Sequence, residues 1–101
     1  MTTDEGFLNF AEPELARDGL EESTMFGFRC VRLNGDFVAM ASHPAGGMVV
    51  KLPASRVTEL ISDGTGSPVA PSGRTFREWV NVTDESLWNG LFDEALAFAS
   101  A

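Results

Sequence analysis

The sequence predicts an α+β domain in which an antiparallel sheet carries its helices on one face. Two observations lead to this prediction. Asn34-Gly35 separates two apolar runs, which is the strongest short signal for a β-hairpin, because both central residues of a type I′ turn need positive φ. Apolar residues then recur at helical spacing after Pro53 and again over 87–99. Such elements bury their apolar faces when helices pack against one side of the sheet.

The first segment, 4–22, is predicted to form one interrupted helix. Several of its apolar residues fall at helical spacing. Pro13 cannot donate a hydrogen bond to the preceding turn, so it either starts a new helical turn or kinks the helix. Asp18-Gly19 is typical of a helix end, because glycine suits a left-handed C-cap.

A three-stranded meander is predicted next, with strands over 25–33, 36–41 and 48–52. Asn34-Gly35 forms the first turn and 43–47 the second. The third strand alternates, so Met48, Val50 and Leu52 should share one face while Val49 and Lys51 occupy the other. These turns and alternating residues therefore predict three neighbouring antiparallel strands.

The second half continues with a helix over 54–62 that begins after Pro53 and buries one face, composed of Val57, Leu60 and Ile61. A proline- and glycine-rich connection over 67–73, with a short strand around Val69, leads to a strand over 77–82. Thr83 or Asp84 should cap a last helix. The residues expected to be buried by that helix are Leu87, Trp88, Leu91, Phe92, Ala95, Leu96 and Ala99. The predicted order is α-β3-α-β2-α.

Length and charge limit the classes of function. A chain of 101 residues is one domain, 1–101. Its net charge of −8, from 15 acidic and 7 basic residues, opposes direct binding to nucleic acids. The single cysteine excludes an intramolecular disulfide, and no apolar run approaches the roughly 18 residues of a membrane span. The N-terminus lacks the basic and apolar regions of a signal peptide, so a cytoplasmic location is expected.

No residue set indicates catalysis, a metal or a cofactor. His43, in the second turn, has no companion ligand at metal-binding spacing. Cys30 lies in an apolar strand, where a buried structural role is favoured over a reactive thiol, although Arg32 shares its face. Most carboxylates gather near the two ends of the chain, on predicted solvated helix faces, so they do not resemble an acid–base pair. The sequence therefore favours a non-enzymatic protein.

Lys51, Arg74 and Arg77 are the charges that most suggest binding. A cation next to a glycine turn can capture an anionic group on a partner, and Arg74 follows Gly73 directly. The alternative is that these cations form surface salt bridges with the many carboxylates, each contributing about 0–1 kcal/mol.

Five short motifs, in this order and spacing, resemble the TfoX N-terminal-domain family, which is named after bacterial regulators of competence genes. They are Met25-Phe26-Gly27, Gly35-Asp36-Phe37, Lys51, Pro71-Ser72-Gly73-Arg74 and Trp79-Val80-x-Val82. The resemblance covers about residues 20–100. The related MmcQ/YjbR-like proteins share the Lys-then-Pro helix start and the tryptophan strand, but match the other motifs less well. Phe28 stands where family members often have a second glycine.

The resemblance implies a two-layer fold of the secretion-chaperone-like kind, α-β3-α-β2-α, without an enzymatic activity. It also implies that Met25, Gly27, Gly35 and Gly73 occupy structural motif positions. Full-length competence regulators carry a further C-terminal domain, whereas this chain ends after its last predicted helix. A stand-alone domain is therefore expected.

The leading hypothesis is a binding module for a protein partner, linked to bacterial transcription or competence regulation. Lys51 and Arg74 would bind an anionic group, and Phe26 and Trp79 would shape the adjoining surface. The alternatives are a small-ligand sensor with a pocket between the sheet and the last helix, a DNA-binding patch and an enzyme. An exposed edge strand leaves homodimerisation open. The sensor pocket would be lined by Trp88 and Phe92, and the patch would be formed by Arg29, Arg32 and Arg77.

Overall fold

Three helices lie against one face of a six-stranded antiparallel sheet in the computed structural model, which describes residues 5–25, 28–42, 47–70, 73 and 75–100. The helices are α1 Glu5–Glu14, α2 Ala54–Ser62 and α3 Trp88–Ser100, and a single 3₁₀ turn, Glu85–Leu87, leads into α3. The strands are β1 Leu20–Met25, β2 Phe28–Leu33, β3 Asp36–Ala41, β4 Met48–Lys51, β5 Ser67–Pro68 and β6 Trp79–Val82. Their order across the sheet is β1-β2-β3-β4-β6-β5, and every neighbouring pair is antiparallel. The predicted α+β class is confirmed.

The N-terminal half contains one strand more than the sequence analysis predicts. The helix over 4–22 was too long: α1 ends at Glu14, and Leu20 already begins β1. Gly19, at φ +82°, lies between them, and its carbonyl accepts a hydrogen bond from the amide of Asn34 at 2.8 Å. The strand predicted over 25–33 is divided between the end of β1 and the whole of β2. The order is therefore α-β4-α-β2-α.

The β2–β3 hairpin has the predicted turn. Asn34 and Gly35 take φ values of +50° and +92°, which is the requirement of a type I′ turn. The pairing register shifts between Val31 and Arg32, which opposes one extra residue of β3 to β2. A β-bulge of this kind increases the local twist and explains why two consecutive residues, Val38 and Ala39, both belong to the main core.

The main core lies between the helices and the sheet. All three helices contribute to it, and strand residues enter it from one face of the sheet. The predicted alternation of β4 is confirmed, because Met48 and Val50 belong to this core while Val49 belongs to a second cluster. Trp88 anchors the start of α3 with an indole Nε1–H that donates to the carbonyl of Val82 at 2.8 Å.

The second half has the predicted elements, but β5, at Ser67–Pro68, ends before Val69, and β6 begins at Trp79 and not at residue 77. Helix α2 has the predicted bounds, with Pro53 at its N-cap, and Asp84 caps the 3₁₀ turn by accepting from the amide of Ser86 at 3.1 Å. Two side chains expected in the core are instead exposed: Ile61 on α2 by 37% and Leu87 in the 3₁₀ turn by 39%. Leu87 differs because it lies in the 3₁₀ turn, which has 3.0 residues per turn, so the 3.6-residue period of α3 does not extend to it.

A smaller apolar cluster covers part of the face opposite the helices. It contains strand and loop residues only, within the described part of the chain: Cys30, Phe37, Met40, Val49, Val69, Phe76 and Trp79. Phe76 lies beside Val69 in this cluster, and its amide donates to the carbonyl of Val69 at 3.0 Å. This second cluster, and not the main core, borders the candidate site.

Candidate functional site

Strands β4 and β6 bring Lys51 and Trp79 together, although α2 and β5 separate them in sequence. The two residues are register partners in the antiparallel pairing of these strands. The ladder continues for one more hydrogen bond, from the amide of Leu52 to the carbonyl of Glu78 at 2.9 Å. Side chains directly opposite in such a pair have Cβ atoms about 5 Å apart and point to the same face. The ammonium-bearing side chain and the indole are therefore neighbours on the face that carries no helix.

A surface cavity of about 770 Å³ opens beside this pair. Its walls come from the end of β4, the first residue of α2, and the segment that leads into β6. The lining residues are Lys51, Ala54, Thr75, Phe76, Arg77, Glu78 and Trp79. A volume of this size lies within the range of small-molecule sites, about 300–1,000 Å³.

Aromatic rings hold the inner wall of the cavity. Phe37 stacks on Trp79 with ring centroids 4.6 Å apart, and Phe76 meets Trp79 edge to face at 4.7 Å. Such pairs contribute about 0.5–1.5 kcal/mol beyond the burial of their area. Trp79 is consequently only 9% exposed and is fixed in orientation, so the wall exists before any ligand arrives.

The charges around the cavity differ from those elsewhere on the surface. Arg17, Arg29 and Arg56 are each in a salt bridge with a carboxylate, and Arg32 donates to the carbonyl of Gly35. Lys51 and Arg77 line the cavity, and among the residues that the structure describes neither has a carboxylate within salt-bridge distance. Arg32 has no carboxylate partner among the described residues either, but it does not line the cavity. Glu78 is the one carboxylate among the described residues of the cavity lining.

The start of α2 adds to the positive potential at this place. Its N-cap residue is Pro53, which makes no side-chain capping hydrogen bond, and no acidic residue lies in the first turn. The positive end of the helix dipole is therefore not neutralised by the helix's own residues. Ala54, the first residue of α2, lies in the cavity wall.

The structure brings together some of the residues predicted for the site, while others lie outside the described part of the chain. Lys51 and Trp79 share the cavity, and Arg77, which the sequence analysis considered as a charge but did not select for the leading site, lies with them. Phe26, Gly27, His43 and Arg74 are outside the described residues. Of Met25 only the backbone, at the end of β1, is described.

Gly35 and Gly73, predicted as motif positions, both lie in turns. They have φ values of +92° and +82°, a region that favours glycine. The amide of Gly73 donates to the carbonyl of Ala70 at 3.3 Å.

Phe76 is a site residue that the sequence analysis did not select. It precedes Trp79 by three residues in the sequence, but only the turn over 76–79 brings the two rings into contact.

Cys30 is a buried residue of the second cluster, with no exposed surface. Burial raises the pKa of its thiol above the usual value, and the lowering effects of Arg32 and of hydrogen bonding to Ser23 are smaller. Arg32 does share its face, as predicted. The thiol is thus held in its neutral form near pH 7, which does not favour reactivity.

The three arginines of the DNA-binding alternative do not form a patch. Arg29 and Arg32 lie on opposite faces of β2, and Arg29 is paired with Glu22 of β1. Arg77 precedes β6, which β3 and β4 separate from β2 in the sheet. Phosphate contacts along a nucleic acid need several cations on one surface. These three arginines do not lie together on one surface.

Trp88 and Phe92, which the ligand-sensor alternative placed in a pocket, are core residues with 1% and 0% exposure. Phe10 of α1 packs edge to face on both rings, at centroid distances of 5.8 and 5.4 Å. Their contacts close the space between the sheet and α3 at this point. The cavity beside Lys51 and Trp79 lies elsewhere, on the face of the sheet that carries no helix.

The described residues include no group of three or more His, Cys, Asp or Glu side chains that could hold a metal ion. None of the helices in this part of the chain is long and apolar enough to cross a membrane. Comparison of the chain with protein-family models, with curated proteins and with solved structures gave no match. Fold and site thus define an α+β domain with a cation-lined surface cavity.

Proposed function

We propose that this protein is a non-enzymatic binding module that recognises an anionic group on a protein partner. Lys51 and Arg77 supply the charge, and Trp79 with Phe76 supplies an apolar wall next to it. The observation that carries the proposal is that Lys51 and Arg77, neither of which has a carboxylate within salt-bridge distance among the described residues, line the same cavity. We retain Arg74 and Phe26 in the proposal as further binding residues, on the sequence motifs alone.

The proposal includes membership of the TfoX N-terminal type and a link to bacterial transcription or competence regulation. It is supported by the ordered motifs, of which Lys51 ends β4 and Trp79 begins β6 as register partners. The additional strand β1 distinguishes this chain from the α-β3-α-β2-α order that the resemblance implies. A stand-alone role would require the partner, and not a further domain of the same chain, to contact transcription machinery.

A second candidate is a small-ligand sensor, and the volume of the cavity favours it. The site would be this cavity, in place of the pocket first expected between the sheet and α3. A thermal-shift screen of anionic metabolites tests it, since a ligand that binds only the folded state raises the unfolding temperature. An unfolding temperature that no metabolite raises, at concentrations up to roughly a few millimolar, would reject the sensor.

The main proposal is tested with tagged protein as bait in a nuclease-treated bacterial extract. Wild type is compared with the double variant Lys51→Gln/Arg77→Gln and with Arg74→Ala, and captured proteins are identified and then titrated in purified form. The double variant should lose the partner, with affinity falling at least about tenfold, because hydrogen bonds to charged groups contribute roughly 1.5–3 kcal/mol.

The matched control is Arg29→Gln/Arg32→Gln, which removes the same formal charge from β2. Both side chains lie away from the cavity, and the salt bridge that is lost is exposed. The control should keep the partner. Equal loss of binding in both double variants would mean that only net charge matters and would contradict the proposed site. Retention of the partner by Arg74→Ala would remove Arg74 from it.

A further inference from the structure

We infer that the cavity beside Lys51 and Trp79 binds a monoanionic carboxylate whose carbon skeleton carries an aromatic or apolar group close to the carboxyl carbon. The inference rests on the proposed function and names the class of its ligand. Two sources share this chemistry: the C-terminal residue of a partner protein, and a free arylalkyl acid.

The distance between charge and apolar wall sets the shape of the ligand. Lys51 and Trp79 are direct register partners, so their side chains start about 5 Å apart on one face. Phe76, which meets Trp79 edge to face, extends the wall toward Arg77, the next residue in the chain. A ligand that satisfies both the cations and the rings must therefore carry its anion and its apolar group within a few bonds of each other. The α-carboxylate and side chain of a C-terminal amino acid meet this requirement.

The charge balance favours a single negative charge over two. Among the described residues of the cavity lining, Lys51 and Arg77 are cations and Glu78 is a carboxylate, so their formal charges sum to +1. The whole chain is acidic, with a net charge of −8. A phosphoryl dianion would double both its attraction to the two cations and its repulsion by Glu78 and the overall field, whereas the cost of removing it from water rises with the square of its charge. A monoanion matches the local charge.

The test uses five probes and follows the tryptophan indole N–H signals by NMR while each is titrated into the ¹⁵N-labelled protein. The probes are 3-phenylpropionate, 3-phenylpropanamide, phenyl phosphate, and a four-residue peptide ending in phenylalanine with a free or an amidated C-terminus. The Trp79 signal should move with the two free acids. The Trp88 signal should stay, since that indole is buried and bonded to the carbonyl of Val82.

The amides should bind at least about tenfold more weakly than the corresponding acids, because they lack the charge that Lys51 and Arg77 recognise. Lys51→Gln/Arg77→Gln should abolish the difference between acid and amide, and Arg29→Gln/Arg32→Gln should leave it intact. Tighter binding of phenyl phosphate than of phenylpropionate would overturn the inference, as would equal binding of acid and amide.

The two acid probes separate the sources. A peptide acid that binds at least about tenfold more tightly than phenylpropionate supports a partner C-terminus, and the reverse order supports a free arylalkyl acid. The outcome of the partner experiment is independent of the outcome of this titration. Acids that bind as expected, with no partner dependent on the cations, leave the inference standing and reject the protein-binding function. A cation-dependent partner that neither acid displaces does the opposite.

Discussion

Replacing Gly66 by alanine tests how closely the chain packs between α2 and β6. Gly66 follows the end of α2, and its amide donates to the carbonyl of Leu60 at 3.0 Å. A Cβ added there would lie 2.3 Å from Cγ2 of Val80 and 3.4 Å from Cβ of Leu60. Carbon atoms in ordinary contact are about 3.5–4.0 Å apart, so Val80 or the loop must move by about 1 Å.

Val80 is poorly able to move. Its side chain has no exposed surface and belongs to the main core, and a β-branched residue is stiff at χ1. Overpacking of this kind typically costs about 1–3 kcal/mol. For a domain of this length, each kcal/mol lowers the midpoint of thermal unfolding by about 4–8 °C. We expect Gly66→Ala to lower the free energy of unfolding by about 1–3 kcal/mol, measured by urea denaturation with circular dichroism.

Gly90→Ala is the matched control. Gly90 lies inside α3 with open space around its Cβ position, so alanine should stabilise the protein by about 0.5–1 kcal/mol through helix propensity alone. The cause of the Gly66 effect is then isolated with Val80→Ala, which removes the clashing methyl group. In that background Gly66→Ala should cost at least about 1 kcal/mol less. An unchanged cost in the V80A background, or a stable Gly66→Ala protein, would refute the reasoning.

Three further changes probe the core, a helix start and the buried thiol. Trp88→Phe removes the donor to the carbonyl of Val82 and part of a buried ring, and should lower the free energy of unfolding by about 2–4 kcal/mol in chemical denaturation. Asp84→Ala removes the acceptor for the amide of Ser86 and should cost about 1 kcal/mol by the same measurement, whereas Asp84→Asn should cost less than half of that. Because burial raises the pKa of Cys30, the native thiol should react with an aromatic disulfide reagent at least about tenfold more slowly at pH 8 than the urea-unfolded chain, and equal rates would contradict its burial. The same shift means that the neutral thiol contributes to stability below its ordinary pKa of 9.0, and that this contribution is lost as the pH rises through the higher native pKa.

Local signals explain which elements could be predicted. Asn34-Gly35 specifies its turn by φ alone, and the 3.6-residue spacing after Pro53 specifies α2 to the residue. Strand β1 carries no such signal. Four of its six residues, over 21–24, are polar, and its only described neighbour in the sheet is β2. It is a strand because its backbone pairs with β2, which is a long-range fact that periodicity does not contain.

The candidate site was predictable only in part, for a similar reason. Lys51 and Trp79 stood out as residues, but their adjacency depends on the order in which β4, α2, β5 and β6 return to the sheet. The role of Arg77 depends on which arginines form salt bridges with carboxylates, and a sequence motif does not contain that information. Arg56, for example, reaches Glu94 on α3 through two hydrogen bonds, of 2.9 and 3.2 Å. Such pairings decide which cations are left for a ligand.

The placement of the site follows from how the two faces of the sheet are covered. One face is buried by α1, α2 and α3, so a ligand there would have to displace core residues. The other face carries a smaller cluster in which Phe37 and Phe76 hold Trp79. At one end of that cluster, Trp79 and Phe76 share a cavity with Lys51 and Arg77. An apolar ligand group would extend the cluster, its carboxylate would meet the cations, and the helices would keep their packing. Binding should therefore leave the fold unchanged, which the immobile Trp88 signal would report.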